Sequence, residues 1–177
     1  MPETNRFSAR RLAMDAVLIA LYFALSFLSI RAWVIEVSVK TLPVILAALL
    51  FGPADGFLVG ALGAFMEQLL SSYGLTPTTA LWILPIAACG LMTGLCRRTL
   101  LQGWKRRLAL FIAIGVVCSL LNTLAFYVDS KLFGYYTFEL IVIDGLWRLL
   151  KDAAVTPVLG FLAAELAKKL RKVGLTQ

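Results

Sequence analysis

Asp144, Arg148 and Asp152 recur every fourth residue inside a long apolar run, which places them on one stripe of a helix with Lys151 beside it. Glu67, next to Gln68, is a further charge set late in another apolar run. Ionisable groups in such surroundings are expensive and are candidates for function by default. Counted from Glu139, Arg148 lies about 14 Å along a straight helix. Two readings of it stand side by side. Asp144 and Asp152, one turn away on either side, can neutralise the guanidinium within the helix. Alternatively Arg148, or Lys151, faces a cavity and holds an anionic ligand group, with Trp147 adding a ring suited to an aromatic or heterocyclic anion.

Asn122, Thr123 and Tyr127 add hydrogen-bonding groups at comparable depth or nearer the outer end of their run. Arg31, Lys40, Tyr73, Thr76, Trp82, Tyr135 and Tyr136 gather at the same side, as a ligand-binding mouth or as an interfacial aromatic belt. The expected binding set is thus Arg31, Lys40, Tyr73, Thr76, Trp82, Asn122, Tyr127, Trp147, Arg148 and Lys151.

Other chemistry finds little support. The chain has no histidine, and Cys89, Cys96 and Cys118 sit in apolar runs without a C-x-x-C pair, so no metal centre, cofactor or disulfide framework is expected. No G-x-x-x-x-G-K-[ST] phosphate loop, H-E-x-x-H or G-x-S-x-G occurs, and nothing points to an enzyme.

The elements that carry these residues follow from hydropathy. Hydrophobic residues make up 60% of the 177 and charged residues 15%, with a mean hydropathy of +0.87. A small core cannot absorb that excess, which is expected to face lipid. Apolar runs at 12–30, 41–51, 56–71, 80–96, 108–128 and 139–166 predict an all-α polytopic membrane protein, a single six-helix transmembrane domain over 1–177. The second run is short, reaching about 17 Å, and either borrows residues 34–39 or crosses partway inside the bundle. The polar, basic start leads into a retained helix with no cleavage site. No internal repeat or low-complexity tract is evident.

Arg6, Arg10 and Arg11 precede the first run; Arg97, Arg98, Lys105, Arg106 and Arg107 separate the fourth and fifth; Lys168, Lys169, Arg171 and Lys172 follow the sixth. Six crossings put all three groups on one side, and the positive-inside rule makes that side, with both termini, cytoplasmic. The basic groups lack the interleaved aromatics of a nucleic-acid surface, so anionic lipid is their expected partner.

Ala16, Ala20 and Ala24, with Ala13 alongside, form a smooth stripe on the first helix, and Gly56, Gly60 and Ala64 on the third and Gly90 and Gly94 on the fourth repeat the pattern. Such stripes pack helices inside a bundle. For the alanines, docking of a separate membrane subunit is a competing reading.

The stretch Leu42-Pro43-Val44-Ile45-Leu46-Ala47-Ala48-Leu49-Leu50-Phe51-Gly52-Pro53, continued by Gly56-Phe57-Leu58-Val59-Gly60-Ala61-Leu62-Gly63, resembles the LPxxLAGxLFGPxxGxLVGxLGD segment of substrate-binding S components of energy-coupling factor (ECF) vitamin transporters. Among these it is most similar to the folate-family branch. Tyr73 to Thr79 with Trp82-Ile83-Leu84-Pro85, and Asn122 through Lys131, are similar to further parts of that branch. Two positions depart from it: Gly63-Ala64 stand where an acid is common, with Glu67 a turn later, and Gly90 stands where an arginine is expected.

The resemblance implies a multi-pass protein of a bacterial cell membrane that binds a vitamin from outside, under the loops joining helices one–two, three–four and five–six. It would then dock on a module of one membrane scaffold subunit and two ATPases, toppling to release the vitamin inside. Ala16, Ala20 and Ala24 match the family's docking motif, and ATP use by the partners accounts for the missing phosphate loop. Folate is the first expectation, its pterin stacking on Trp147, Trp82 or Tyr73 and its carboxylates meeting Arg31, Lys40 or Arg148. Pantothenate, riboflavin and cobalamin are alternatives. A stand-alone carrier using Glu67, Asp144 and Asp152 as a proton relay, or an assembly protein that carries nothing, are rivals of other classes.

Overall fold

The computed structural model describes residues 9–27, 30–32, 35–37, 39–71, 74–100 and 103–172. Its helices are α1 (Ala9–Phe27), α2 (Thr41–Leu50), α3 (Pro53–Leu69), α4 (Thr79–Leu95), the single-turn α5 (Arg97–Leu100), α6 (Trp104–Phe133) and α7 (Phe138–Lys172). Between α1 and α2 the expected all-helical pattern is interrupted by two short strands, β1 (Ile30–Ala32) and β2 (Ile35–Val37). They pair antiparallel with Ile30 opposite Val37. Isoleucine and valine favour extended backbone there over helix.

The hairpin settles how the short second run is built. Residues 35–37 form β2, so α2 does not extend through them and rises only about 15 Å over its ten residues. Every residue from Pro43 to Leu50 is buried. A helix apolar on all sides belongs inside protein, and α2 is enclosed by α1, α3, α4 and α7. Gly52, at φ 121°, makes the turn out of α2 in a backbone region that side chains avoid, and Pro53 starts α3 at the position where its missing N–H does no harm.

The glycine stripes of α3 and α4 face each other. A Cβ on Gly90 would run into the Gly56 carbonyl, one on Gly94 into the backbone of Pro53, and one on Gly60 would lie 2.8 Å from the Ile86 carbonyl oxygen. Backbones this close leave no room for a side chain at Gly90, the position where the resemblance leads us to expect an arginine. The alanines of α1 differ. Asp15, Leu18 and Tyr22 form its buried face, whereas Ala16, Ala20 and Ala24 are exposed on the other, among exposed Leu12, Val17 and Leu21.

Arginines collect around the α2–α3 turn. Arg11 pairs with Asp55, its Nε donating to Oδ1 over 2.8 Å, and Arg171 donates to the Leu49 carbonyl at 2.6 Å. The Arg97 guanidinium stands beside Gly52. Cations at the C-terminus of α2 complement its free carbonyls. The start of α1 and the end of α7 therefore meet at one end of the bundle. Among the described residues α6 is the helix long and apolar enough to cross a membrane by itself, its most apolar 18 residues having a mean hydropathy of 2.3.

Candidate functional site

A cavity of about 390 Å³ lies between α1, α2, α3, α4, α6 and α7. The size suits a small organic ligand. From α2 and the residue before it come Lys40 and Thr41; from α3, Ala64, Glu67 and Gln68; from α4, Trp82, Ile86 and Cys89; from α6, Cys118 and Asn122. The longest contribution is from α7, whose Asp144, Trp147, Arg148, Lys151, Asp152, Val155 and Thr156 descend one side. Tyr22 of α1 closes the set. Pro85 in α4 and Pro157 in α7 lie within helices at the cavity's depth, where each removes one intrahelical hydrogen bond.

Three ion pairs stand in the wall. Lys40 Nζ lies 2.6 Å from Glu67 Oε1, and Tyr22 donates its hydroxyl to Glu67 Oε2 at 2.8 Å. Tyr22 is 0% exposed, and its ring lies over Gly63, where a Cβ would stand 2.7 Å from a ring carbon. The space above Gly63 belongs to the tyrosine, which carries the hydrogen bond on to Glu67 a turn later.

On α7, Arg148 Nε lies 2.8 Å from Asp144 Oδ2 and Lys151 Nζ 3.6 Å from Asp152 Oδ1. Among the described residues Arg148 is thus in ion-pair contact with Asp144, and Asp152 with Lys151. The Asp144–Arg148 contact is an ion pair without hydrogen-bond alignment, since Oδ2 has no hydrogen-bond partner. The guanidinium also lies over two rings, 5.9 Å from the centre of Trp82 and 5.0 Å from that of Phe126.

At the end near Trp82, Asp129 of α6 accepts hydrogen bonds from the hydroxyls of Thr78 and Tyr135 and, over 3.5 Å, from the Trp82 indole N–H. One carboxylate thereby ties the start of α4, the indole at the cavity edge and the segment after α6. The sequence suggests that 129–138 is loop, but α6 continues to Phe133 and ends on left-handed Gly134, so Asp129 is held on a helix. Thr78 precedes α4 without capping it through its side chain, because its hydroxyl goes to Asp129.

Of the residues expected to bind, Lys40, Trp82, Asn122, Trp147, Arg148 and Lys151 line this cavity. Thr76 does not: its amide and hydroxyl are engaged with Thr78 and Thr79 in the turn leading into α4. Nor does Tyr127, which is 41% exposed and packs edge-on against Tyr136, with Lys131 over both rings. Tyr73 and the side chain of Arg31 lie outside the described residues. Tyr22, Thr41, Cys89, Cys118 and Thr156 line the cavity without having been singled out for it. Only Tyr22 left a trace, as the one tyrosine of α1.

The fold and the cavity together define an apolar helical bundle in which several helices at once line a cavity of small-molecule size. The chain belongs to the family described as ECF transporter, substrate-specific component, which it matches over residues 10–168. It is therefore an integral membrane protein and a transport subunit, not an enzyme. Its fold is similar to three solved structures. FolT bound with folic acid has a TM-score of 0.67 at 23% identity, covering 92% of this chain and 95% of that one. An S component of a bacterial ECF transporter has 0.66 at 18%, covering 93% and 97%. ThiT from Listeria monocytogenes has 0.64 at 20%, covering 92% and 95%. No curated protein sequence matches the chain.

Proposed function

We propose that this chain is the high-affinity vitamin-binding subunit of an ECF-type importer of a bacterial cell membrane, with folate the first candidate. The observation that carries the reading is the cavity itself. Rings of Trp82 and Trp147, the amide of Asn122 and the charged groups of Lys40, Arg148 and Lys151 line one cavity. Both termini and the arginine-rich end of the bundle are cytoplasmic in this reading, and the cavity is loaded from the other side. The vitamin is then handed to a membrane scaffold subunit and two ATPases, which supply the phosphate loop that this sequence lacks. The exposed face of Ala16, Ala20 and Ala24 is the surface that the scaffold covers, since small residues let a partner helix approach closely.

The test is ATP-driven folate uptake into proteoliposomes holding this chain and its module. Ala20→Trp is expected to leave folate binding to the isolated subunit unchanged and to abolish uptake. Full uptake by that variant, or uptake driven by a pH gradient without the ATPases, would remove the handover scheme in favour of a stand-alone carrier.

A further inference from the structure

Cys89 of α4 and Cys118 of α6 both line the cavity, 3% and 9% exposed, and both are free thiols. The sequence hides their pairing, because no C-x-x-C spacing links them and they stand on different helices. These two helices pack directly against each other. The Cys118 thiol donates to the Pro85 carbonyl over 3.4 Å. In an α-helix a carbonyl points onward to the amide four residues later, which here is that of Cys89. The side chains of Cys118 and Cys89 accordingly meet, thiol against thiol. One turn beyond Cys89 stands Thr93, 0% exposed, whose hydroxyl has no hydrogen-bond partner among the described residues. A buried hydroxyl left unpaired is costly, and an anion forming on the Cys89 sulfur would engage it. Cys96, in contrast, sits at the end of α4 and does not line the cavity.

We infer that Cys89 and Cys118 are a redox-active dithiol, which a hydroperoxide entering the cavity oxidises to a disulfide fastening α4 to α6. Hydrogen peroxide is little larger than water, and a cavity of about 390 Å³ admits it. Cys89, with Thr93 beside it, attacks as the thiolate. Its sulfur bonds to one peroxide oxygen, the O–O bond breaks, and the departing hydroxide takes up the proton shed by Cys89 and leaves as water. The Cys118 sulfur then attacks the sulfenic acid so formed. The S–O bond breaks, and the hydroxyl leaves as water with the Cys118 proton. Two thiols and one peroxide become one disulfide and two waters, the sulfurs giving up two electrons and the peroxide oxygens taking them. Bonding draws the sulfurs to about 2.05 Å, so α4 with Trp82 and α6 with Asn122 no longer shift freely against each other. The site goes beyond the vitamin-binding role and does not depend on it.

The full chain carrying Cys96→Ser, held in nanodiscs and kept reduced until use, tests this with hydrogen peroxide. Its intact mass is expected to fall by two hydrogens, and digestion to yield one peptide pair joined through Cys89 and Cys118. Dithiothreitol should restore both thiols. With Cys118→Ser added, the cross-link should be lost and dimedone should trap a sulfenic acid on Cys89. Thiols that stay free under peroxide in the folded protein, yet react once it is unfolded, would mark inert core residues and overturn the inference. Oxygen added to either sulfur of the Cys96→Ser protein without a cross-link, or cross-linking only between chains, would overturn it equally.

Discussion

Tyr22 and Gly63 show how one residue's space is another's function. The ring fills the volume above the glycine, and its hydroxyl reaches Glu67, whose other oxygen holds Lys40. A buried hydrogen bond to a charged group contributes about 1.5–3 kcal/mol. Tyr22→Phe is expected to lower stability by about that amount, and Gly63→Ala to do so by pushing the ring off its position. Because both act on one contact, the double variant should lose less than the sum of the two. Chemical unfolding in detergent measures this, and strict additivity would show that Gly63 and Tyr22 are not coupled. At this scale the sequence was partly legible. Charges such as Arg148 and Lys151 stand out because an apolar environment makes them costly. Tyr22, Cys89 and Thr156 do not, because tyrosine, cysteine and threonine are accommodated almost anywhere in a helical bundle. Thr76 and Tyr127 do not line this cavity, and a hydroxyl or ring near the mouth says nothing of direction: each has neighbours close at hand to satisfy it.

Among the elements, the apolar helices were legible because lipid and a crowded bundle interior both demand apolar surface over many consecutive residues. Two features escaped. The hairpin of β1 and β2 is six residues of mostly β-branched and apolar character in a stretch that hydropathy alone cannot distinguish from helix. The extension of α6 to Phe133 is hidden because Asp129, Ser130 and Lys131 read as loop residues. That extension matters, since it fixes the backbone of Asp129 while its carboxylate gathers Thr78, Trp82 and Tyr135. Removing the carboxylate should loosen the start of α4 and the segment after α6 together. In a Cys96→Ser background, Asp129→Ala is expected to speed maleimide labelling of Cys89 and Cys118, which line the cavity and are 3% and 9% exposed. Labelling at the parent rate would mean that the three hydrogen bonds do not hold the mouth.

For the whole molecule, the two ends of the bundle are built differently. Around the α2–α3 turn, Arg11 ties α1 to Asp55 of α3, Arg171 ties α7 to the Leu49 carbonyl of α2, and the Arg97 guanidinium stands beside Gly52. Toward the other end, the interior opens into a polar cavity walled by tryptophans and paired charges. One end is suited to holding helices together and the other to taking in a ligand, while the alanine face of α1 is exposed. Capture is the central claim, and native mass spectrometry of the protein purified without added ligand tests it most directly. The wild-type chain is expected to carry one small organic molecule that dissociates as a single mass, and Arg148→Ala, folded and purified alike, to arrive largely without it. An empty wild-type chain that also takes up none of the candidate vitamins when they are supplied, or the same occupancy in both proteins, would contradict the assignment of this cavity as the binding site.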